Sequence, residues 1–170
     1  MARRARTRDG IGRDLVKGAI AGAVATFVMG KVTDYMYEHE DRDARREEDE
    51  ARGGESSYEV AAEKAATAAG TSFDRRQRQQ AASAMHWALG VGAGAAYAVL
   101  RRRFQGLGSV AGTAFGTGFW AFMDEGLVPA LGLTPGPSAF PWQTHARGLV
   151  GHLTFGTVTD GTLRLLDRVA

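Results

Sequence analysis

Residues 81–100 read AASAMHWALGVGAGAAYAVL, apolar or small throughout except for Ser83 and His86, and they run straight into Arg101, Arg102 and Arg103. Twenty residues rise about 30 Å as an α-helix, the thickness of a bilayer's hydrocarbon core. A surface helix of a soluble protein carries a polar face over such a length, and this stretch has none. It predicts a transmembrane helix with a positive stop. A buried core helix of a soluble protein is the competing reading.

Working outward from that helix, the charge is segregated. Residues 1–14 are basic, with Arg3, Arg4, Arg6, Arg8 and Arg13, and they precede the apolar run GAIAGAVATFVMG at 18–30. Lys31, Val32, Thr33 and Asp34 follow with no small-residue cleavage signal, so the run reads as an uncleaved first span over 15–37. Lys17 then snorkels to the inner surface, and Tyr35 and Tyr37 sit in the outer interface. Lys31 and Asp34 are three apart and are expected to neutralise each other in part.

Residues 38–80 hold twelve acids and eight bases. The segment 38–52, EHEDRDARREEDEAR, places opposite charges four apart at Glu38 and Arg42, Asp41 and Arg45, and Arg46 and Glu50. It predicts a charged stalk prolonging the first helix into water, with a disordered acidic loop as the alternative. Ser56 with Glu59 forms a capping box for an alanine-rich helix over 57–69, expected to lean on that stalk. The 38–80 segment as a whole thus reads as a charged outward helical hairpin. After the second span at 81–100, FQGLG at 104–108 suggests a tight turn into a third span over 107–123, ended by Asp124 and Glu125. All four prolines fall in an outward loop over 124–147. A fourth span over 148–166 is the least hydrophobic, with His152, Asp160 and Arg164; a partly buried amphipathic helix competes with it.

The predicted fold is therefore all-α, an integral membrane bundle of four transmembrane helices with a charged extramembrane helical extension. Counting bases puts both termini and Arg101–Arg103 of this multi-pass chain in the cytoplasm. The bases flank apolar runs instead of alternating with aromatics, which argues for a lipid bilayer and against nucleic acid as the partner.

The runs also resemble one another. Val16, Gly18, Gly22 and Met29 match Val110, Gly112, Gly116 and Met123 at an offset of 94, and His86 and Gly90 match His152 and Gly156 at an offset of 66. Two tandem helical hairpins related by a pseudo-twofold axis would give this pattern; chance likeness between glycine-rich segments is the alternative. Gly18, Gly22, Gly90, Gly94, Gly112, Gly116 and Gly156 belong to rows of small residues at every fourth position, where helix backbones approach closely, within one chain or between copies of a homo-oligomer.

Chemistry rests on ionisable groups at membrane depth. Lys31, Asp34, His86, Asp124, Glu125, His145 and His152 fall in the outer third or at the outer surface, with Asp160 deeper. Such groups are costly in lipid and usually face a bundle interior or a watery cavity, so they predict one outward-facing polar vestibule whose histidines titrate near neutral pH. The plainer alternative is mutual satisfaction, with histidines bonding across helices and acids pairing with Lys31 or Arg147. The absence of cysteine removes disulfides and thiolate chemistry. No spacing matches a metal motif, a nucleophile elbow or a phosphate or dinucleotide loop, so neither a metal nor a cofactor is expected, nor an enzyme.

KGAIAGAVATFVMG at 17–30, Val128, Pro129, Leu131, Gly132 and Leu133, then Pro141 and His145, and GHLTFG at 151–156 together resemble the YagU-like family of small bacterial inner-membrane proteins of unknown function. The resemblance implies a cytoplasmic-membrane protein with a link to acid tolerance, and it supplies neither substrate nor catalytic residues. Two functional readings follow. One is a vestibule that binds or passes a small solute or protons. The other is a structural or adaptor protein that oligomerises through its glycine rows and docks a periplasmic or membrane protein on its charged hairpin.

Overall fold

A computed structural model describes residues 2–103 and 110–169, and among them every regular element is helical. The FQGLG turn, the first three residues of the 107–123 run and Gly108 lie outside the described residues, as do the side chains of the N-terminal arginines up to Arg8. Four long helices carry the fold: α1 (Ala2–Glu38), α4 (Arg75–Leu100), α5 (Val110–Phe122) and α7 (Trp142–Val169). Two short ones, α2 (Arg42–Arg52) and α3 (Ser57–Ala68), stand between α1 and α4.

The long helices alternate in direction. Arg102, just past α4, donates to the Gly10 carbonyl at 3.1 Å and pairs with Asp14. Lys17 donates to the Leu166 carbonyl and to Asp167, both at 3.0 Å, and Arg101 also pairs with Asp167. The start of α1 and the ends of α4 and α7 thus share one end of the molecule. Lys17 does not snorkel outward; it is buried against the carbonyl-rich C-terminus of α7, where the helix dipole favours a cation.

Glycine decides which helices touch. A Cβ on Gly18 would lie 2.6 Å from the Gly94 carbonyl oxygen, and one on Gly22 would lie 2.5 Å from that of Gly90, so α1 and α4 cross backbone against backbone. A Cβ on Gly112 would lie 2.6 Å from the Gly156 carbonyl oxygen, and one on Gly116 closer still to that of His152, which joins α5 to α7 in the same way. These glycines are used within the chain. Between the two pairs, α1 packs along α7, and the core is built of small residues around a few large ones: Ala21, Ala25, Ala93, Ala98 and Ala111 with Tyr97, Phe155 and Leu163. Buried threonines satisfy their hydroxyls on the preceding turn, Thr26 on Gly22 at 2.8 Å and Thr159 on Phe155 at 2.7 Å.

The outer faces invert the usual soluble pattern. Val16, Ile20, Val24 and Phe27 on α1, Trp87 and Leu100 on α4, Val110 and Phe122 on α5, and Val150 and Leu165 on α7 are all exposed. Among the described residues one helix, Gly10–Glu38, is long and apolar enough to cross a membrane. That helix is α1. The stretch 81–100 is rich in alanine and glycine, small more than hydrophobic, and falls short of it.

Several boundaries differ from the sequence reading. The fourth helix begins at Trp142, not 148, and α4 reaches back to Arg75. Asp124 and Glu125 do not end the third helix: the chain passes through a π-helical turn, Met123–Leu127, into α6 (Val128–Ala130) before Gly132 turns it at φ 62°. Pro129 gives the reason, since it has no N–H for the carbonyl of Glu125 and its ring crowds that carbonyl. The charged stalk is also corrected. The chain breaks at 39–41, Asp41 caps α2 by accepting from Asp43 N at 2.9 Å, and α2 turns back across the end of the molecule. The capping box of Ser56 and Glu59 is present, but α3 leans on α4.

Candidate functional site

The side chains at the end opposite Lys17 surround a cavity of about 800 Å³. Its floor is the upper part of both glycine crossings, Thr26 and Gly90 on one side and His152 and Phe155 on the other; its walls come from α1, α4, α5 and α7, and α3 closes one side with Tyr58 and Ala61.

Asp34, His86, Asp124, Glu125, His145 and His152 all line this cavity. Lys31 and Asp160 do not. Lys31 is exposed on the flank of α1, its ammonium 5.8 Å from the Phe27 ring, and among the described residues no ion pair joins it to Asp34. Asp160 is buried deeper, where it accepts from the Tyr97 hydroxyl at 2.9 Å and from Arg164 Nε at 2.6 Å.

Each histidine is held differently. His145 Nδ1 is 2.6 Å from Glu125 and its Nε2 is 3.0 Å from the Pro137 carbonyl oxygen. A carbonyl only accepts, so Nε2 carries a hydrogen, and one further proton is shared between Nδ1 and Glu125. His152 donates from Nδ1 to the Gly148 carbonyl at 3.0 Å, packs edge-on to Phe119, and lies 3.6 Å from Asp124. The His86 ring meets Tyr58 edge-to-face at 5.1 Å. Burial pushes the Tyr58 hydroxyl up to about 12, helped by the negative charge of Asp124, so it remains a neutral donor.

The lid over the cavity is a charge cluster the sequence did not reveal as one. Arg147, at the start of α7 and 9% exposed, pairs with both Glu40 and Glu48 and stacks 5.0 Å from the Tyr37 ring. Glu48, 4% exposed, also accepts from Arg52 at 2.9 Å and from Thr144 at 3.0 Å. Burial opposes ionisation of Glu48, but the two arginines outweigh it and hold its carboxyl below the usual range. Arg52 stacks 5.2 Å from Phe140, and Lys64 of α3 donates to the carbonyls of Leu131 and Gly132 at 3.0 and 2.9 Å. One sequence signal pointed here: Arg147 is the sole lysine or arginine between Arg103 and Arg164.

Among the described residues no three histidines or carboxylates converge on a point that could hold a metal ion. Residues 57–161 match a family model described as "Protein of unknown function (DUF1440)". That stretch holds the walls from α3 to α7 and six of the eight residues singled out above, and leaves out Lys31 and Asp34. No curated protein and no solved structure matches the chain.

Proposed function

We propose a function for this chain, which belongs to the DUF1440 family, from its own site: it is a multi-pass protein of the bacterial inner membrane whose outward cavity binds or passes a small solute or protons. In this reading the four long helices form a four-helix bundle of two tandem hairpins, each joined by a glycine zipper, and the YagU-like likeness with its link to acid tolerance is consistent with the family. The single observation that carries it is the inversion of polarity: large apolar side chains face outward on all four long helices, while six ionisable residues line one shared cavity. Lipid outside and a watery cavity inside is the arrangement that makes ionisable groups at that depth tolerable.

Two experiments test this. The chain has no cysteine, so single cysteines report topology cleanly. Ser72→Cys and Ser138→Cys are expected to react with an impermeant maleimide on spheroplasts and Arg102→Cys only after lysis; the reverse pattern overturns the orientation. Proteoliposomes loaded with a pH dye and challenged by an acid pulse or an osmotic gradient of glycerol, choline chloride or potassium acetate are expected to show flux that falls on His86→Ala or His152→Ala. Flux no different from empty liposomes overturns the transport reading. The adaptor reading keeps a narrower basis, because Glu40, Glu48 and the glycine rows already serve contacts within the chain.

A further inference from the structure

Resting on the cavity reading above, the charge balance of the walls selects a class of ligand. Arg147 is taken up by Glu40 and Glu48, and Arg52 by Glu48 and the Phe140 ring. Glu125 has His145 at 2.6 Å. His152 gives its Nδ1 hydrogen to the Gly148 carbonyl at 3.0 Å, and that nitrogen stands 3.6 Å from Asp124, beyond hydrogen-bond distance. Asp34 and Asp124 remain: both line the cavity, and among the described residues neither forms an ion pair with a lysine or arginine. The same walls present Tyr58, Phe119 and Trp120. Carboxylates beside aromatic faces are what a desolvated ammonium needs, since the rings attract a cation without hydrating it. A metal ion fits less well, because it needs several donors converging on one point. One further atom is unused: Trp120 Nε1 is buried and has no hydrogen-bond partner, so a ligand with an acceptor oxygen near its charge would complete it.

We infer that the cavity is a binding site for a small organic ammonium ion that also bears a hydroxyl or carbonyl oxygen, with Asp34 and Asp124 countering its charge, Tyr58 and Phe119 flanking it, and Trp120 Nε1 donating to its oxygen.

The probe is choline, compared with its uncharged isostere 3,3-dimethylbutan-1-ol and with acetate, titrated into the full chain in nanodiscs at constant ionic strength. The readout is the Trp120 indole N–H signal, assigned by Trp120→Phe. Choline is expected to shift that signal saturably, the uncharged isostere to bind at least tenfold more weakly, and Asp124→Asn to weaken choline at least tenfold. Asp34→Asn, at an exposed position with no ion pair among the described residues, is expected to weaken it about threefold and covers the case in which Asp124→Asn fails to fold. Equal binding of the isostere, or tighter binding of acetate, overturns the ammonium assignment and leaves the cavity reading standing. Equal shifts from sodium chloride alone overturn the organic part of it. If no probe moves the signal the assignment falls, and the flux assay then decides the cavity reading separately.

Discussion

The two glycine crossings invite comparison, because they use corresponding residues and end differently. In the first hairpin Gly18 faces Gly94 and Gly22 faces Gly90; in the second, Gly112 faces Gly156 and Gly116 faces His152. Carried across by the offsets of 94 and 66, the second crossing has slipped by one helical turn. His152 is thereby drawn into the crossing, whereas its counterpart His86 stays above it, against Tyr58. The contacts between hairpins are unequal as well. α1 packs along α7, but their counterparts α5 and α4 meet where Phe115 lies 4.8 Å from Tyr97 and are separated by the cavity farther out. The cavity thus lies where the two glycine-crossed helix pairs pack unlike one another, and the side chains that differ between them are the place to test it.

The largest expected effect is at Arg147, whose counterpart in the first hairpin is Ala81. Arg147→Ala leaves Glu40 buried without its cation and Glu48 with Arg52 alone, a loss of about 3–5 kcal/mol, read as a fall in unfolding midpoint in detergent. A loss below about 1 kcal/mol would mean that the lid does not hold the second hairpin. Next comes Gly94→Val, which forces a side chain against the Gly18 carbonyl and the Gly22 Cα, each 2.5 Å from the new Cβ. Overpacking of this kind costs about 1–3 kcal/mol, while Gly92→Val, with nothing within 4 Å, is expected to stay within about 1 kcal/mol of wild type. Equal effects at 92 and 94 would remove the crossing as a stabilising contact. Asp160 stands where the first hairpin has Gly94, and Tyr97→Phe, which takes away its hydroxyl partner, should cost about 1 kcal/mol by the same measurement.

The smallest effect is a pH dependence. Glu48 has its carboxyl held low in the folded chain, so the stability it contributes is present above the ordinary carboxylate range and is lost as pH falls through the folded value. Burial works against its charge, which keeps the net effect modest. Unfolding midpoints are expected to drop toward acid pH, and less so in Glu48→Gln; identical slopes would place the acid sensitivity elsewhere.

Some of this was legible in the residues alone. Small residues four apart named the crossings, because only a missing Cβ lets two helix backbones meet, and Ser56 with Glu59 named the start of α3. His86, Asp124, Glu125, His145 and His152 could be assigned to one end by counting helical rise. What could not be read was contact over long separations. Lys31 and Asp34 share a helical face yet part company, since Lys31 turns to Phe27 and Asp34 to the cavity. Local charge spacing made 38–52 look like a stalk, and only the position of Arg147 shows why it folds back. The helix running on through Asp124 was hidden by the expectation that two acids and a proline end a helix, which the π turn circumvents.

The link between Arg147 and Glu40 joins residues 107 apart in the chain. During synthesis Glu40 and Glu48 leave the ribosome long before Arg147 does, so the upper end of the nascent chain stays open until α7 is made. A chain cut short before α7 would therefore carry Glu40 without its cation, while Glu48 would keep Arg52 from its own helix.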